Sequence, residues 1–355
     1  MSKKIIIIGA GLTGLSLSFE LKKKGISSLI LEGRNRAGGR IKTIKGNQDT
    51  PMEMGATWFG KKHQTLVSFL EELNIPFFKQ YNSGIALFET MSFAPPQKFT
   101  IPASEEPSYR IQGGTESIIK NLILKVGARN IQLNTPIAKI KKQDNYILLK
   151  TSSDVEYKCD LVISTLPPKL FAATIECTPT LPQSTLDVFN HTQSWMESSV
   201  KFSVEYEAPF WRDQGMSGMA FSQSSLIPEM YDHCNFEENK YALKGFLNGA
   251  VANYDSKKRE AMVIQTLKKF FGSDAENYIG YFDKIWEREE FTYSDSPQFL
   301  PSHFNNGHAI YQNAIWENQL WLAGTETSPK FGGYMEGAIF SAQQTAEKIF
   351  KNFNS

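Results

Sequence analysis

The apolar residues near the start of the chain change from a continuous run to helical spacing within a few positions. Ile5 to Ile8 form a β-branched run, which is typical of a parallel strand buried on both faces. From Leu12 to Lys24 apolar residues recur at helical spacing, and Gly25 follows at the position of a helix C-cap. Residues 28–31 form a second apolar run. The pattern predicts a strand, a tight turn, a helix and a strand in that order.

Further along the chain, apolar positions predict additional strands and helices, separated by longer segments. Polar and apolar positions alternate in residues 200–206, so Lys201, Ser203 and Glu205 share one strand face, and exposure of that face to solvent is one interpretation. Residues 76–107 are rich in Phe, Tyr, Ser and Pro, which predicts irregular structure over a cavity. The other predicted elements are helices at 63–73, 117–126 and 333–350, and strands within 130–149 and at 160–164 and 320–323.

Length and charge narrow the possible functions. A chain of 355 residues exceeds what one hydrophobic core usually supports, so two domains are expected. The formal net charge is +1 at pH 7, and no long run of one sign occurs. This removes the usual signature of proteins that bind nucleic acid or anionic membranes, and it favours a small-molecule partner. The five histidines are scattered, so no metal site is predicted, and His63 is expected to be a surface or capping residue.

Cysteine use and hydropathy favour the cytoplasm. Cys159, Cys177 and Cys234 are odd in number and lie outside any metal-binding or CxxC spacing, which fits free thiols in a reducing compartment. The first residues lack the pattern of a secretory signal, and no segment reaches the roughly 20 apolar residues needed to span a bilayer. We therefore expect a cytoplasmic protein without a membrane anchor.

A glycine motif occupies the turn between the first strand and the first helix. Gly9, Gly11 and Gly14 follow the GxGxxG spacing. The first two glycines allow the backbone to approach a pyrophosphate, and the third allows the helix to pack on the strand. The start of the helix, at Leu12 and Thr13, would offer unpaired N–H groups to the phosphates.

Glu32 ends the second strand, 23 residues after Gly9. At this spacing an acidic residue accepts hydrogen bonds from an adenosine ribose, and it would repel a 2′-phosphate. An ordinary surface charge at a strand end is the alternative. The glycine motif alone does not separate FAD from NAD, so these residues predict a dinucleotide without naming it.

A second set of motifs, divided between the two chain ends, resembles a known family. Arg34, Arg36 and the stretch Gly38-Gly39-Arg40 follow the second strand, and Gly324-Thr325-Glu326 and Gly332-Gly333-Tyr334-Met335-Glu336-Gly337 lie about three hundred residues later. In this order they resemble the flavin-containing amine oxidases, including monoamine and polyamine oxidases. Either end alone would be weak evidence, since a lone GxGxxG has many false positives.

The resemblance implies a fold and its division into domains. The expected fold is α/β, with a Rossmann-like FAD-binding domain of the GR2 type (the amine oxidase fold) interleaved with an α+β substrate-binding domain. The FAD-binding domain would comprise residues 1–75, 108–172 and 289–355, and the substrate-binding domain residues 76–107 and 173–288.

The resemblance also implies which residues contact FAD. Arg34, Gly39 and Arg40 would lie at the diphosphate, Gly55, Ala56, Thr57 and Trp58 along the isoalloxazine ring, Ile137 near the adenine end, and Thr165 in a loop beside the cofactor. Gly324 and Glu326 would lie near the ribityl or diphosphate region, and Gly333 and Met335 near the flavin N1/O2 edge, where a helix N-terminus stabilises anionic reduced flavin.

Two residues are implied to be catalytic. Lys201, followed by Pro209-Phe210-Trp211, matches the lysine that amine oxidases hydrogen-bond through water to flavin N5, and its charge would assist reoxidation by dioxygen. Trp286 would lie near this lysine. Tyr334 matches one wall of an aromatic cage, while the second wall is left open between Gln298 and Phe299. The implied substrate pocket contains Trp58, Phe299 and Tyr334, although Trp58 and Trp286 are also compatible with core packing.

The implied activity is FAD-dependent oxidation of amines, in which an amine, dioxygen and water give an aldehyde, ammonia and hydrogen peroxide. Residues 294–299 lack the cysteine that binds flavin covalently in the mitochondrial enzymes, so FAD is expected to be non-covalent. The alternatives are an oxidase of carbon–carbon bonds (protoporphyrinogen oxidase or desaturase-like), an L-amino-acid oxidase, and a flavoprotein without turnover. For an amino acid the substrate carboxylate would need an arginine near Gly55 and Ala56, and Arg212 is the candidate in this chain.

Overall fold

A five-stranded parallel sheet is built from both ends of the chain. The structure, a computed structural model, describes residues 3–102, 106–295 and 300–354. Every neighbouring pair in this sheet is parallel, and β1 is buried along its whole length, as the apolar run predicted. The strands, in spatial order, are Ile131–Gln132 (β10), Ser28–Leu31 (β2), Ile5–Ile8 (β1), Leu161–Ser164 (β14) and Leu320–Leu322 (β21).

Four helices cover this sheet. Helix α1 (Leu12–Lys23) packs against α8 (Met335–Asn354) and α3 (Glu116–Val126), and α2 (Gln64–Glu72) packs on α8. Their apolar faces share one core with the parallel strands. The predicted helices are therefore present with shifted ends, and the first and last helices of the chain lie side by side.

A second, four-stranded sheet adjoins the parallel sheet. Its spatial order is Glu156–Cys159 (β13), Ile147–Thr151 (β12), Ile137–Lys142 (β11) and Glu176–Thr178 (β15). Helices α4 (Pro168–Thr174) and α5 (Gln183–Asn190) pack on each other, and Phe171 and Phe189 join the core of this sheet. Residues 176–190 thus pack with the half built from the chain ends, although the sequence analysis assigned them to the substrate-binding domain. The domain boundaries themselves stay a prediction.

A seven-stranded sheet forms the other half of the molecule. Helices α6 (Phe210–Asp213) and α7 (Ser256–Phe271) contribute buried side chains to the apolar core of this sheet. In spatial order its strands are Tyr278–Ile285 (β20), Val200–Tyr206 (β16), Tyr241–Leu247 (β19), Glu229–Asp232 (β18), Met216–Ser222 (β17), Ile85–Glu89 (β7) and Gln97–Thr100 (β8). The remaining strands are the pair Thr43–Lys45 (β3) and Pro51–Glu53 (β4), and the set Phe59–Gly60 (β5), Ser108–Ile111 (β9) and Phe77–Lys79 (β6).

The expectation of irregular structure in residues 76–107 is wrong for much of that segment. It contains β6 and the hairpin of β7 and β8, which extends the seven-stranded sheet. Strand β7 pairs in parallel with β17, more than a hundred positions later in the chain. A local composition pattern does not reveal such a distant partner, which is why the strands were missed.

The polar face of β16 is buried, so its interpretation as a solvent face is wrong. Lys201, Ser203 and Glu205 are each 5% exposed or less. The Glu205 carboxylate accepts hydrogen bonds from the backbone N–H groups of Asn47 (2.6 Å) and Gln48 (3.1 Å), in the turn between β3 and β4. This strand pair therefore covers the polar face of the seven-stranded sheet. None of the helices in the described ranges is both long and apolar enough to cross a membrane.

Candidate active site

A cavity of about 510 Å³ lies at the carboxyl ends of the parallel strands and extends to the polar face of the seven-stranded sheet. This edge of a parallel sheet is where ligands bind in open α/β folds. Most of the residues that the sequence singled out line it, namely Gly9, Gly11, Leu12, Thr13, Glu32, Arg34, Gly39, Arg40, Gly55, Ala56, Thr57, Trp58, Ile137, Thr165, Lys201, Trp286, Gly333, Tyr334 and Met335.

The glycine turn brings backbone close to the cavity. Gly9 has a φ of 102°, and a Cβ there would lie 2.6 Å from Thr165 Oγ1. Gly14 does not line the cavity, but a Cβ there would lie 2.0 Å from the carbonyl oxygen of Gly9. Its role is therefore helix packing, as the motif predicted. No side chain caps the start of α1, so its first N–H groups face the cavity wall at Leu12 and Thr13.

Glu32 is fixed at the adjacent strand end. Its carboxylate oxygens accept hydrogen bonds from the N–H of Ala10 (2.7 Å) and the N–H of Arg34 (2.9 Å). The side chain is buried and lines the cavity, so it is not a surface charge. Each oxygen keeps a second lone pair, which leaves Glu32 able to accept from a hydroxyl group in the cavity.

Arg40 lines the cavity and forms a bidentate ion pair with Glu326. Its two terminal nitrogens donate to the carboxylate oxygens of Glu326, at 2.6 and 3.0 Å. Burial lowers the pKa of Arg40, but the paired carboxylate raises it by more, so the guanidinium stays charged. Glu326 and Gly324 do not line the cavity themselves. Glu326 instead orients the arginine, and the direct cofactor contact expected from this carboxylate stays a prediction.

The segment from Gly55 to Trp58 passes along the cavity without room for larger residues. A Cβ at Gly55 would lie 2.2 Å from the Arg40 carbonyl oxygen. Trp58 donates from Nε1 to Gln80 Oε1 (2.8 Å), and its ring lies 4.8 Å from that of Tyr231. Trp58 is thus both a cavity wall and part of an aromatic cluster, so the two interpretations of this residue are compatible.

Lys201 lies at the junction of the two halves. Its Nζ donates to the Gly55 carbonyl oxygen (2.6 Å) and lies 4.9 Å from the ring centre of Phe246. Burial lowers the pKa of Lys201 to about 8, although Glu53 and Glu229 act to raise it. Trp286 is buried nearby and donates from Nε1 to the Met54 carbonyl oxygen (2.6 Å). A lysine with a pKa near neutrality thus faces the same cavity as the glycine turn.

Tyr334 belongs to an aromatic cluster at the cavity wall. Its ring stacks on His303, with centres 5.4 Å apart and an angle of 19°, and lies 6.3 Å from Trp195 and 5.7 Å from His63. Of these aromatic residues Tyr334, Trp195 and His63 line the cavity, whereas His303 does not. Phe299, predicted in the pocket, and Gln298 lie outside the described residues.

Sequence reasoning missed several cavity residues. His63 occupies the N-cap position of α2, as one of its two interpretations expected, but it is buried at the cavity wall, so the surface interpretation is wrong. Its ring accepts a hydrogen bond from Gly60 N–H and is held by Phe331 and Tyr334. Phe246 lines the cavity from the interior of β19, and Trp195, Met196 and Glu197 line it from the segment before β16. Of these residues only Phe246 could have been suspected from the sequence, because a lysine interrupts the apolar run of β19 that contains it.

Arg212 is not placed to bind a substrate carboxylate. Its guanidinium is paired with Asp232, at 2.7 and 3.0 Å, and stacks on Tyr81 at 3.7 Å. Arg212 does not line the cavity. The suggestion that this arginine serves an amino-acid substrate is therefore wrong. Its position in α6 directs it to the outer part of the seven-stranded sheet instead.

The model of the family "Flavin containing amine oxidoreductase" matches residues 12–88 and 77–350, which is most of the chain. The chain belongs to this family. A probable flavin-containing monoamine oxidase A of Dictyostelium discoideum is 23% identical over 97% of both chains, and a putrescine oxidase of Kocuria rosea is 20% identical over 82% of this chain and 84% of its own. The resemblance drawn from the two chain ends is thus confirmed, and the protein is a flavin-dependent amine oxidase.

Solved structures confirm the fold of this amine oxidase. Cyclohexylamine oxidase from Brevibacterium oxydans superposes over 100% of both chains with a TM-score of 0.87 and 18% identity. Putrescine oxidase bound to putrescine superposes over 99% of both chains with a TM-score of 0.85 and 20% identity. The interleaved α/β and α+β architecture is therefore that of the amine oxidases.

The residues at the cavity fit the family cofactor, FAD. The glycine turn and the start of α1 suit a diphosphate, and Arg40 supplies positive charge beside them. Two buried polar atoms of the wall, Ser199 Oγ and Glu197 Oε2, have no hydrogen-bond partner within the part of the chain that the structure describes. A ligand with hydroxyl and polar ring groups would satisfy them, since buried polar atoms are normally paired. FAD is thus the cofactor of this amine oxidase.

Proposed function

We propose that this enzyme oxidises a primary amine to an aldehyde, with dioxygen as the electron acceptor and ammonia and hydrogen peroxide as further products. FAD, when bound, supplies the redox chemistry by taking a hydride at N5 and passing electrons to dioxygen. The observation that carries the proposal is the buried Lys201, whose Nζ is fixed on the Gly55 carbonyl oxygen beside the cavity.

Lys201 supplies positive charge where dioxygen is reduced. A buried cation stabilises the negative charge that develops on oxygen, and it acts strongly because the surroundings exclude water. Its hydrogen bond to the Gly55 carbonyl holds the ammonium at one place on the cavity wall. Trp286 packs beside the same segment through the Met54 carbonyl oxygen and limits its movement.

Tyr334 and Trp195 orient the amine. Both line the cavity, and their rings lie 6.3 Å apart at an angle of 34°, so an alkyl or aryl amine has two neighbouring aromatic side chains to contact. FAD is held without a covalent bond, because Cys159, Cys177 and Cys234 all lie away from the cavity wall. The free thiols also support the cytoplasm as the location.

An apolar monoamine is the substrate class that the described cavity wall favours. The carboxylates among the described lining residues are Glu32, Glu197 and Glu290, and all three belong to the half built from the chain ends or its border. On the side of Trp58, Lys201, Phe246 and Tyr334 the described wall is aromatic and carries a lysine. A diamine would leave its second ammonium group without a carboxylate partner there, at a cost in binding.

The test is the visible spectrum of the purified holoenzyme under anaerobic conditions. Benzylamine, cyclohexylamine, putrescine and L-leucine are added in turn, followed by air. We expect benzylamine or cyclohexylamine to bleach the flavin band and air to restore it with release of hydrogen peroxide. Bleaching by putrescine or L-leucine alone would overturn the substrate class, and a flavin that no amine bleaches would overturn the activity.

A further inference from the structure

A second lysine lies buried directly behind the cavity wall. Lys244 occupies the middle of the otherwise apolar strand β19 and is 0% exposed. Its Nζ donates to Thr57 Oγ1 and lies 4.5 Å from the ring centre of Trp58. No ion pair among the described residues includes Lys244. A buried lysine without a carboxylate at contact distance is costly, and the amine oxidation proposed above assigns it no role.

Hydrogen bonds connect Lys244 to the cavity. The Thr57 hydroxyl donates to the Gly55 carbonyl oxygen (3.1 Å), the same oxygen that accepts from Lys201 Nζ (2.6 Å). Thr57, Gly55 and Lys201 line the cavity, whereas Lys244 lies one layer behind them. A hydroxyl group both donates and accepts, so Thr57 is able to pass a proton between the cavity and Lys244.

The groups that face Lys244 from the neighbouring elements favour its uncharged form. Burial and the nearby charge of Lys201 lower the pKa of Lys244 well below its usual value, and Arg110 acts in the same direction. Glu53 and Glu229 oppose them, and burial raises the pKa of Glu53 itself. His233 is buried beside Arg110 and its pKa is lowered by burial. Burial and the neighbouring cations thus favour the neutral amine form of Lys244.

We propose that Lys244 accepts the proton that the substrate ammonium must lose before oxidation, by way of the hydroxyl of Thr57. This inference rests on the proposed amine oxidation. Primary alkylamines are ammonium ions near neutral pH, and only the neutral amine has the lone pair that the reaction requires. A base at the cavity wall lets the enzyme use the abundant ammonium form as well as the scarce neutral amine.

The proton balance of this step is closed. The Thr57 hydroxyl first rotates its proton from the Gly55 carbonyl oxygen to Lys244 Nζ, which requires a neutral Lys244. The ammonium N–H then gives its proton to Thr57 Oγ1, and the hydroxyl proton of Thr57 moves to Lys244 Nζ. The products are a neutral amine, an intact threonine hydroxyl and a lysine ammonium. The face of the Trp58 ring, 4.5 Å from Nζ, stabilises the ammonium that forms. The nearby Glu53 carboxyl acts in the same direction.

The first test is the rate constant for flavin reduction at saturating benzylamine, measured by anaerobic stopped flow between about pH 6 and about pH 10. In Lys244→Met the rate should fall about tenfold for each pH unit below the pKa of the bound amine, whereas the wild type should fall much less. The two proteins should converge at high pH, where the amine arrives neutral. Identical pH profiles would overturn the proposal.

Thr57 provides the matched controls. Thr57→Val removes the hydroxyl at nearly constant shape and should reproduce the steep profile of Lys244→Met, whereas Thr57→Ser should restore the wild-type profile. Lys269→Met, which removes a lysine paired with Glu89 away from the cavity, should leave the profile unchanged. A Thr57→Val enzyme with the wild-type profile would contradict the relay through this hydroxyl.

A second test needs no turnover and separates this inference from the proposed function. In the apoprotein a neutral Lys244 binds its proton only after unfolding, so the wild type should lose thermal stability as the pH falls from about 10 to about 7. Lys244→Met should lack this part of the pH dependence. Equal slopes in the two proteins would show that Lys244 is charged and would overturn the relay, even if the enzyme oxidises amines. A neutral Lys244 in a protein that no amine reduces would overturn both the oxidase and the relay.

Discussion

At the cavity wall the two halves differ in how their charged groups are paired, although away from the cavity the seven-stranded half also contains ion pairs such as Arg212–Asp232 and Arg259–Asp283. In the half built from the chain ends the charges are paired: Arg40 with Glu326 at 2.6 Å, Arg34 with Glu289 at 3.2 Å, and Lys169 with Glu197 at 2.8 Å. In the seven-stranded half, Lys201 donates to a carbonyl oxygen and Lys244 to a hydroxyl. A charged group that is paired with an opposite charge stays ionised and has a fixed position. Burial without such a partner shifts the pKa of a group so that its neutral form is favoured.

This difference separates binding from chemistry. The paired half presents fixed dipoles and backbone N–H groups, which suit a diphosphate that has to be held and not changed. The unpaired half presents Lys201, whose pKa burial lowers to about 8, and Lys244, whose pKa is lowered well below its usual value by burial, which suits proton and electron transfer. Changes in the first half should therefore affect cofactor retention, and changes in the second should affect rates and their pH dependence.

The largest effect should come from the glycine turn. In Gly14→Ala the new Cβ would lie 2.0 Å from the Gly9 carbonyl oxygen, so α1 must move away from β1. We expect a loss of about 3 kcal/mol in stability, the upper end for overpacking, together with loss of FAD. Thermal unfolding and the flavin content of the purified protein measure both. Gly249→Ala is the control, since a Cβ there meets nothing within 4 Å. A Gly14→Ala protein that keeps its FAD would show that the turn is not the rigid part of the site.

The next largest effect should come from Lys201 and should leave FAD in place. In Lys201→Met we expect benzylamine to reduce the flavin at nearly the wild-type rate. Reoxidation by air should slow about a hundredfold, which is typical when one group that stabilises developing negative charge is removed. Separate stopped-flow experiments on the two half-reactions measure this. Unchanged oxygen kinetics would remove the lysine from the reaction and would weaken the contrast between the two halves.

The pH dependence of reoxidation follows from the pKa of Lys201. Burial lowers this pKa to about 8, so the ammonium is present below that pH and is lost above it. We expect the wild-type reoxidation rate to fall as the pH rises through about 8. In Lys201→Arg this decrease should be shifted to higher pH, since arginine keeps its charge. A wild-type rate that rises over this range would have the wrong sign for a charged Lys201.

The sequence predicted the paired half far better than the unpaired half. Gly9, Gly14 and Glu32 lie in one short segment, and their spacing alone fixes a turn whose physical reasons are local. The parallel strand β1 was therefore predicted correctly, while the fold class and FAD were predicted correctly from the resemblance of the two chain ends together. Tyr334 was placed at the cavity by the resemblance of the C-terminal motif, although its neighbours His63 and Trp195 were not.

The unpaired half depends on distant pairing. Lys244 faces Thr57 only because β19 lies next to β16 and the polar face of that sheet is covered by β3 and β4. Register between strands so far apart in the chain is set by tertiary packing, which no local pattern carries. A lysine within the apolar run Tyr241–Leu247 was the one available signal, and it pointed to burial without naming a partner.

The smallest effect should come from Tyr334, which lies on the border between the halves. Tyr334→Ala removes one ring face from the cavity while leaving the glycine turn untouched, so FAD retention should be unchanged. Amine turnover should fall about fivefold to tenfold, because an aromatic contact of this kind contributes about 1 kcal/mol. Tyr334→Phe keeps the ring and should recover most of the turnover. Steady-state kinetics with benzylamine, beside the flavin content of each variant, decide the outcome. If Tyr334→Ala instead loses FAD and turnover together, Tyr334 helps to hold the cofactor. It would then belong with the half that binds FAD and not with the residues that orient the amine.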